Sequence, residues 1–313
     1  MWGYIVRRLL ATIPVMGVVA VFVFLLLHLA PGDPAAVVAG SYAMPKDVER
    51  IREKLGLNEP IHIQFGKWIS NVVQGDLGDS IFSEVPVTRL IVQRIEPTLS
   101  LATTSILIAI VLAVPLGIVA AWKAGTWIDH MVMVFAVLGF SIPVFVIGYA
   151  LMYGFSIKAQ IFPVQGFASI RQGLIPFLRT ITLPSIALGL IYAALIARIT
   201  RASLLEVLGE DYIRTAHAKG LRPRAVLLRH ALKNASVPIV TIIGVGIAML
   251  IGGVVVTESV FNIPGLGRLV VDSVLARDYP VIQGLTLMFS GIYLLINLMV
   301  DISYTFLDPR IHY

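Results

Sequence analysis

Six apolar stretches, each close to the length of a bilayer crossing, constrain this chain more than any other feature. The first, Leu9 to Ala30, carries no charged residue apart from His28. It extends well past the roughly 7–15 apolar residues of a cleaved signal sequence, so with Arg7-Arg8 before it we read an uncleaved first span. The others are Thr98–Trp122, Met131–Phe155, Ile181–Ile199, Val237–Thr257 and Val281–Phe306. Each holds roughly 19–26 residues, enough at about 1.5 Å per residue to cross a hydrocarbon layer of about 30 Å. Pro115, Pro143 and Pro184 fall inside these stretches. Proline breaks a helix in water, but within a bundle neighbouring helices re-satisfy the freed backbone groups. The predicted fold is an all-α integral membrane bundle of six helices. Composition agrees: the chain is 58% hydrophobic and 13% charged, against about 45–50% and about 25% in soluble domains.

The formal charge of +6 could suggest a nucleic-acid partner. The basic residues, however, gather in short segments between apolar runs, as in membrane loops facing the cytoplasm. With the N-terminus inside, inner segments hold Arg7, Arg8, Lys123, Arg198, Arg201, Arg214, Lys219, Arg222, Arg224, Arg229, Lys233 and Arg310. The short outer loops hold only Lys158, Arg171, Arg179, Arg268 and Arg277. Both termini are therefore predicted to be cytoplasmic. The chain has no cysteine, which excludes disulfides, thiolate metal sites and cysteine nucleophiles.

Two segments are too polar for the membrane. Residues 31–97 are expected to form a small extracytoplasmic insert between the first helix (1–30) and the remaining core (98–308). Pro45–Gly56 reads as a short amphipathic helix, with Pro45 at its start, Asp47 and Glu49 near its positive end, and Val48, Ile51 and Leu55 on one face. Gly75-Asp-Leu-Gly78 and Pro86 signal turns. The other polar segment, 201–236, lies between the fourth and fifth spans. Its stretch Glu210–Leu221 can form a short helix ended by Gly220, with acidic residues at one end and Lys219 at the other. Small side chains at Thr215, Ala216 and Ala218 offer a low surface that a partner's groove could grip. From these residues alone, an ordinary basic loop and a docking helix both remain open.

At this point the chain resembles the permease subunits of binding-protein-dependent ABC importers, in their dipeptide, oligopeptide and nickel branch. Arg214-Thr215-Ala216 followed by Gly220 has the spacing of that family's Glu-Ala-Ala loop, with Arg and Thr replacing Glu and the first Ala. The generic pattern places Leu-Pro about thirteen residues beyond the glycine, where this chain has Lys233 and then Pro238. Asp211–Leu221 followed by Arg229–Ala235 is similar to the peptide branch's own variant. Pro31-Gly-Asp-Pro34, Gly75-Asp-Leu-Gly-x-Ser80, Glu258–Gly267 and Val300–Arg310 extend the likeness from end to end.

The resemblance implies a type I ABC importer permease fold in a bacterial inner membrane, forming half of a pore for peptides or related small solutes. It implies a second homologous permease subunit, two ATP-binding subunits and an extracytoplasmic solute-binding protein. ATP and Mg2+ would sit on the partner ATPases, with no cofactor, metal or catalytic residue on this chain. That agrees with the absence of a Gly-x-x-x-x-Gly-Lys-Ser/Thr loop, without which the chain cannot cradle ATP phosphates. The ATPase-coupling residues so implied are Asp211, Tyr212, Arg214, Thr215, Ala216, Lys219, Gly220, Leu221 and Arg222. Glu258, Phe261, Pro264 and Gly265 are candidates for an outer gate or a binding-protein contact. A stand-alone secondary transporter is the competing function. It would call for ionisable residues in mid-span and inverted repeats, and neither is apparent here. An intramembrane enzyme would need a nucleophile–base pair at membrane depth, and none is visible.

Overall fold

Long uninterrupted helices follow directly from the apolar runs, because a backbone in lipid must satisfy its own hydrogen bonds. The computed structural model describes residues 2–29, 34–39, 43–54 and 56–307. Helix α1 is Trp2–Leu29, followed by α2 (Pro34–Ala39), α3 (Pro45–Lys54), α4 (Ile61–Val73) and α5 (Val87–Trp122). Next come α6 (Trp127–Ser141) and α7 (Val144–Leu151), the latter continuing as a π-helical turn over Met152–Lys158. Helix α8 is Leu174–Leu208, α9 is Asp211–Ala218, and α10 (Pro223–Ala225) passes through a second π turn at Val226–Ala231. Helices α11 (Leu232–Phe261), α12 (Leu266–Ala276) and α13 (Tyr279–Leu307) complete the chain. Among the described residues there is no strand beyond an isolated bridge between Asp79 and Pro86.

Among the described residues five helices are long and apolar enough to cross a membrane, and two broken pairs raise that number to as many as seven, where the sequence predicts six. The third predicted span, Met131–Phe155, is not one helix: α6 and the α7 segment meet at a bend of 102°. The break falls on Ile142-Pro143, both extended in ψ, because proline pushes the residue before it out of the helical region. Pro115 and Pro184, by contrast, stay inside α5 and α8. Helix α5 begins at Val87, earlier than the predicted Thr98, and runs through Pro97. The sequence reading also missed α4, although Phe65, Trp68, Ile69 and Val72 follow a helical period. Pro31-Gly-Asp of the first motif, Leu55 of the amphipathic helix and Asp308-Pro-Arg310 of the last motif lie outside the described residues.

The chain forms two compact units, and α5 and α13 contribute residues to both. The first unit comprises residues 97–264 and 296–307. Its centre is α8, whose most apolar stretch is 67% buried, far more than the other continuous candidate spans. Close approach explains part of this. At Gly117 a Cβ would lie 2.6 Å from Thr200 Cβ and 2.8 Å from the Ala197 carbonyl, so α5 meets α8 backbone to backbone. Gly139 of α6 comes similarly near Ala194, and Gly253 of α11 near Leu188. Gly244 accepts Val300 of α13 where a side chain would collide with it, whereas Gly252, about two turns further along α11, faces open space.

The second unit comprises residues 2–96 and 265–295. Here Ala20 and Val23 of α1 pack with Leu287 and with Trp68, Ile69 and Val72 of α4. Phe24 stacks near His28, Phe65 and Trp68, and the His28 ring meets Gln64 at 3.1 Å. The Gly75–Ser80 motif makes a tight loop: Asp76 Oδ1 accepts the Gly78 N–H at 2.8 Å, and Gly78 takes a positive φ of +80°. Ser80 Oγ donates to Asp278 Oδ2 at 2.5 Å, and the Ile81 N–H donates to Oδ1 of the same carboxylate at 3.2 Å.

Candidate functional site

The segment between α8 and α11 carries the residues singled out for coupling. Helix α9 is only two turns long, so its stability must come from packing and capping rather than propensity. Ile213 and Ala216, three residues apart, face inward. They join Leu204, Val226, Leu227, Ala231, Ala235 and Ile239 in one apolar cluster, together with Ala121 at the end of α5. Ala216 is thus not part of the outward low surface that the sequence suggested: the helical period that buries Ile213 buries it as well. Asp211, Tyr212, Arg214, Thr215, Lys219, Gly220, Leu221 and Arg222 are exposed. Arg214 pairs with Asp211 at 3.1 Å, a fully solvated i,i+3 contact that adds little stability. Tyr212 is tied more firmly, accepting a hydrogen bond at 2.6 Å from Asn234 Nδ2 near the start of α11.

Gly220 ends α9 in a Schellman motif. The Gly220 N–H donates to the His217 carbonyl at 2.9 Å and the Leu221 N–H to the Ala216 carbonyl at 3.3 Å. The cap requires φ of +76° at residue 220, a conformation that glycine adopts without penalty. The chain then turns at Arg222 into Pro223, which sits at a helix start, where its missing N–H costs nothing. The result is a short helix with one face rooted in its own subunit and the other presented outward.

Sequence reasoning missed an ion pair on the helices that lead into this segment. Arg201, counted from the sequence only among the basic residues of the inner segments, pairs with Asp129 of α6. Its Nη2 donates to Oδ2 at 2.6 Å and its Nε donates to Oδ1. Asp129 is 2% exposed and also accepts the Gly125 N–H at 3.0 Å. Nothing local in the sequence marks a partner 72 residues away.

The segment after α11 places its candidates differently from one another. Glu258 is fully buried and accepts a hydrogen bond from Thr98 Oγ1 at 2.6 Å, so its carboxylate lies inside the protein rather than at a surface. Phe261 is buried against Gly148 of α7, where any side chain would crowd its ring, and its carbonyl accepts the Gly166 N–H at 2.9 Å. Asn262 then adopts a left-handed conformation that stops α11, and the Ile263 N–H returns to the Glu258 carbonyl at 2.9 Å. Pro264 is exposed and Gly265 is buried.

Residues 113–313 match the family model described as the binding-protein-dependent transport system inner membrane component, and residues 1–102 match the model for the N-terminal part of such membrane components. The chain is 54% identical over 310 residues to a probable peptide ABC transporter permease of Sinorhizobium fredii, with 99% of each chain covered. It is 46% identical over 313 residues to a glutathione transport system permease of Escherichia coli, with both chains covered completely. Its fold is similar to a chain of the inward-facing MetNI methionine ABC transporter, with a TM-score of 0.59 at 18% identity, covering 70% of this chain and 96% of that one. A chain of an amino acid ABC transporter crystallised with histidines aligns with a TM-score of 0.52 at 15% identity, covering 72% and 95%. The family match across both parts of the sequence and the end-to-end identity agree with the helical architecture: this chain belongs to the family of binding-protein-dependent transport system inner membrane components.

Proposed function

We propose that this subunit forms half of the pore of an ATP-driven importer and that α9 is the helix through which ATP hydrolysis on other chains drives it. The observation that carries this reading is the two-sided character of α9, buried through Ile213 and Ala216 and exposed through Asp211, Tyr212, Arg214 and Thr215. A helix built in that way passes a push on its outer face into the spans it is rooted in. Transport then follows as a two-state rearrangement biased by nucleotide binding on the partners. The partners are a second homologous permease, two ATP-binding subunits that hold ATP and Mg2+, and an extracytoplasmic solute-binding protein. The chain itself is non-catalytic, and both its termini are cytoplasmic, as the distribution of Lys and Arg supports.

The solute is a small peptide. The two relatives named above, one called a peptide permease and the other a glutathione permease, support this class, glutathione being itself a modified tripeptide. The test is reconstitution of this subunit with its cognate permease, ATPases and binding protein, followed by uptake of labelled di- and tripeptides. Uptake is expected only with ATP and binding protein together. Uptake by this chain alone, driven by an ion gradient, would overturn the proposal.

A further inference from the structure

The turn joining α5 to α6 holds both limbs of the segment that carries α9. On the incoming limb, Arg201 grips the Asp129 carboxylate with two parallel donors, and the Gly125 N–H supplies a third bond from within the turn. Such a bidentate pair fixes orientation as well as distance, and the burial of Asp129 makes its carboxylate costly to leave alone. On the outgoing limb, the Arg224 guanidinium lies 5.7 Å from the centre of the Trp122 ring, within range of a cation–π attraction. Lys123 lies 5.5 Å from that ring. Between the two limbs, Ala121 packs in the apolar cluster that receives Ile213 and Ala216. Gly117 and Gly139 bring α5 and α6 close against α8.

We infer that Asp129, Arg201 and Trp122 are positioning residues for energy coupling: they clamp α9 to the α5–α6 turn, so that its movement is delivered to α5 and α6 as well as to α8 and α11. The inference rests on the reading of α9 as the coupling helix and adds the route by which the push leaves it. Without the clamp, only the apolar contact at Ala121 ties α9 to α5, and more of its displacement is absorbed locally. The broken α6–α7 pair is then driven through its α6 end, since Asp129 lies in the first turn of α6.

The test uses the complete reconstituted complex and reads solute taken up per ATP hydrolysed. Arg201→Lys keeps the charge but loses the two-pronged geometry. Trp122→Leu removes the ring at a residue 44% exposed, where little packing is lost. Both variants are expected to assemble with the ATPases and to hydrolyse ATP at near the unmodified rate. Uptake per ATP should fall at least about five-fold in Arg201→Lys, the low end of measured coupling between sites. It should fall less in Trp122→Leu, and Trp122→Phe should restore it. A change in uptake and hydrolysis by the same factor in both variants would mark a purely structural role and overturn the inference. If Arg201→Lys fails to assemble, Trp122→Leu decides alone: an unchanged ratio overturns the clamp, and a lowered ratio rescued by Trp122→Phe supports it. Failure of the underlying reading would show separately, as absence of ATP-dependent uptake in the unmodified complex.

Discussion

Replacing Gly220 in graded steps probes whether α9 must end in one geometry to transmit motion. No atom lies within 4 Å of where a Cβ would stand at this residue, so alanine meets no steric obstacle. Its whole cost is the left-handed backbone at φ of +76°, about 1–2 kcal/mol for an L-residue. That lowers the ratio of capped to frayed helix ends by a factor of about 5–30. Asparagine, which visits this region more readily, should fall between glycine and alanine. Proline cannot reach the conformation at all. It also lacks the N–H that now donates to the His217 carbonyl at 2.9 Å, for a combined loss of about 3 kcal/mol or more. The assay is ATP-dependent peptide uptake in proteoliposomes, normalised to the amount of inserted subunit. The expected order is Gly220, then Gly220→Asn, then Gly220→Ala, with Gly220→Pro inactive although correctly inserted. Alanine uptake equal to that of glycine, or normal uptake by the proline variant, would refute the argument that this cap holds the coupling geometry.

Three further outcomes follow from the packing. Gly117→Ala should lower the melting temperature of the detergent-solubilised subunit, because overpacking against the Ala197 carbonyl and Thr200 costs about 1–3 kcal/mol, whereas Gly252→Ala, which meets nothing, should not lower it. Ser80→Ala should destabilise the subunit by about 1–3 kcal/mol, read in the same melting experiment, since it leaves the buried Asp278 carboxylate short of a donor. Thr98→Val should cost a similar amount, about 1–3 kcal/mol, by taking a donor from buried Glu258, while leaving ATPase association, measured by co-purification, unchanged.

Much of the architecture is legible in the sequence because lipid imposes a simple rule: a crossing must be apolar, long and self-satisfied. That rule locates α1, α5, α8, α11 and α13, although α5 begins well before its apolar stretch, at Val87, and α8 extends beyond its stretch at both ends, over Leu174–Leu208. It says nothing about which proline breaks its helix. Pro184 is buried within α8, the most enclosed of the continuous candidate spans, while Pro143 opens the bend between α6 and α7. The inward turn of Ala216 was available in principle, since Ile213 three residues earlier marks the buried face of α9. The Asp129–Arg201 pair was not available: each residue alone resembles an ordinary charge at a span end, and only the fold brings them together. Glu258 is similar: the sequence marks it as an acidic residue at the end of an apolar run, and only the fold brings Thr98 beside it.

The bonds that Ser80 and Ile81 make to Asp278 span 198 and 197 positions of sequence. The loop that donates them leaves the ribosome early, while the carboxylate that receives them is made only after most of the spans have been synthesised. One of the two compact units is accordingly discontinuous, needing residues 265–295 to close around residues 2–96. During biogenesis, then, the 75–86 loop waits unlatched on the membrane surface until the start of α13 appears. In a chain truncated before Asp278 that loop would lack the acceptor of both bonds, as well as the apolar surface around Val281 and Leu285 on which Leu77 packs.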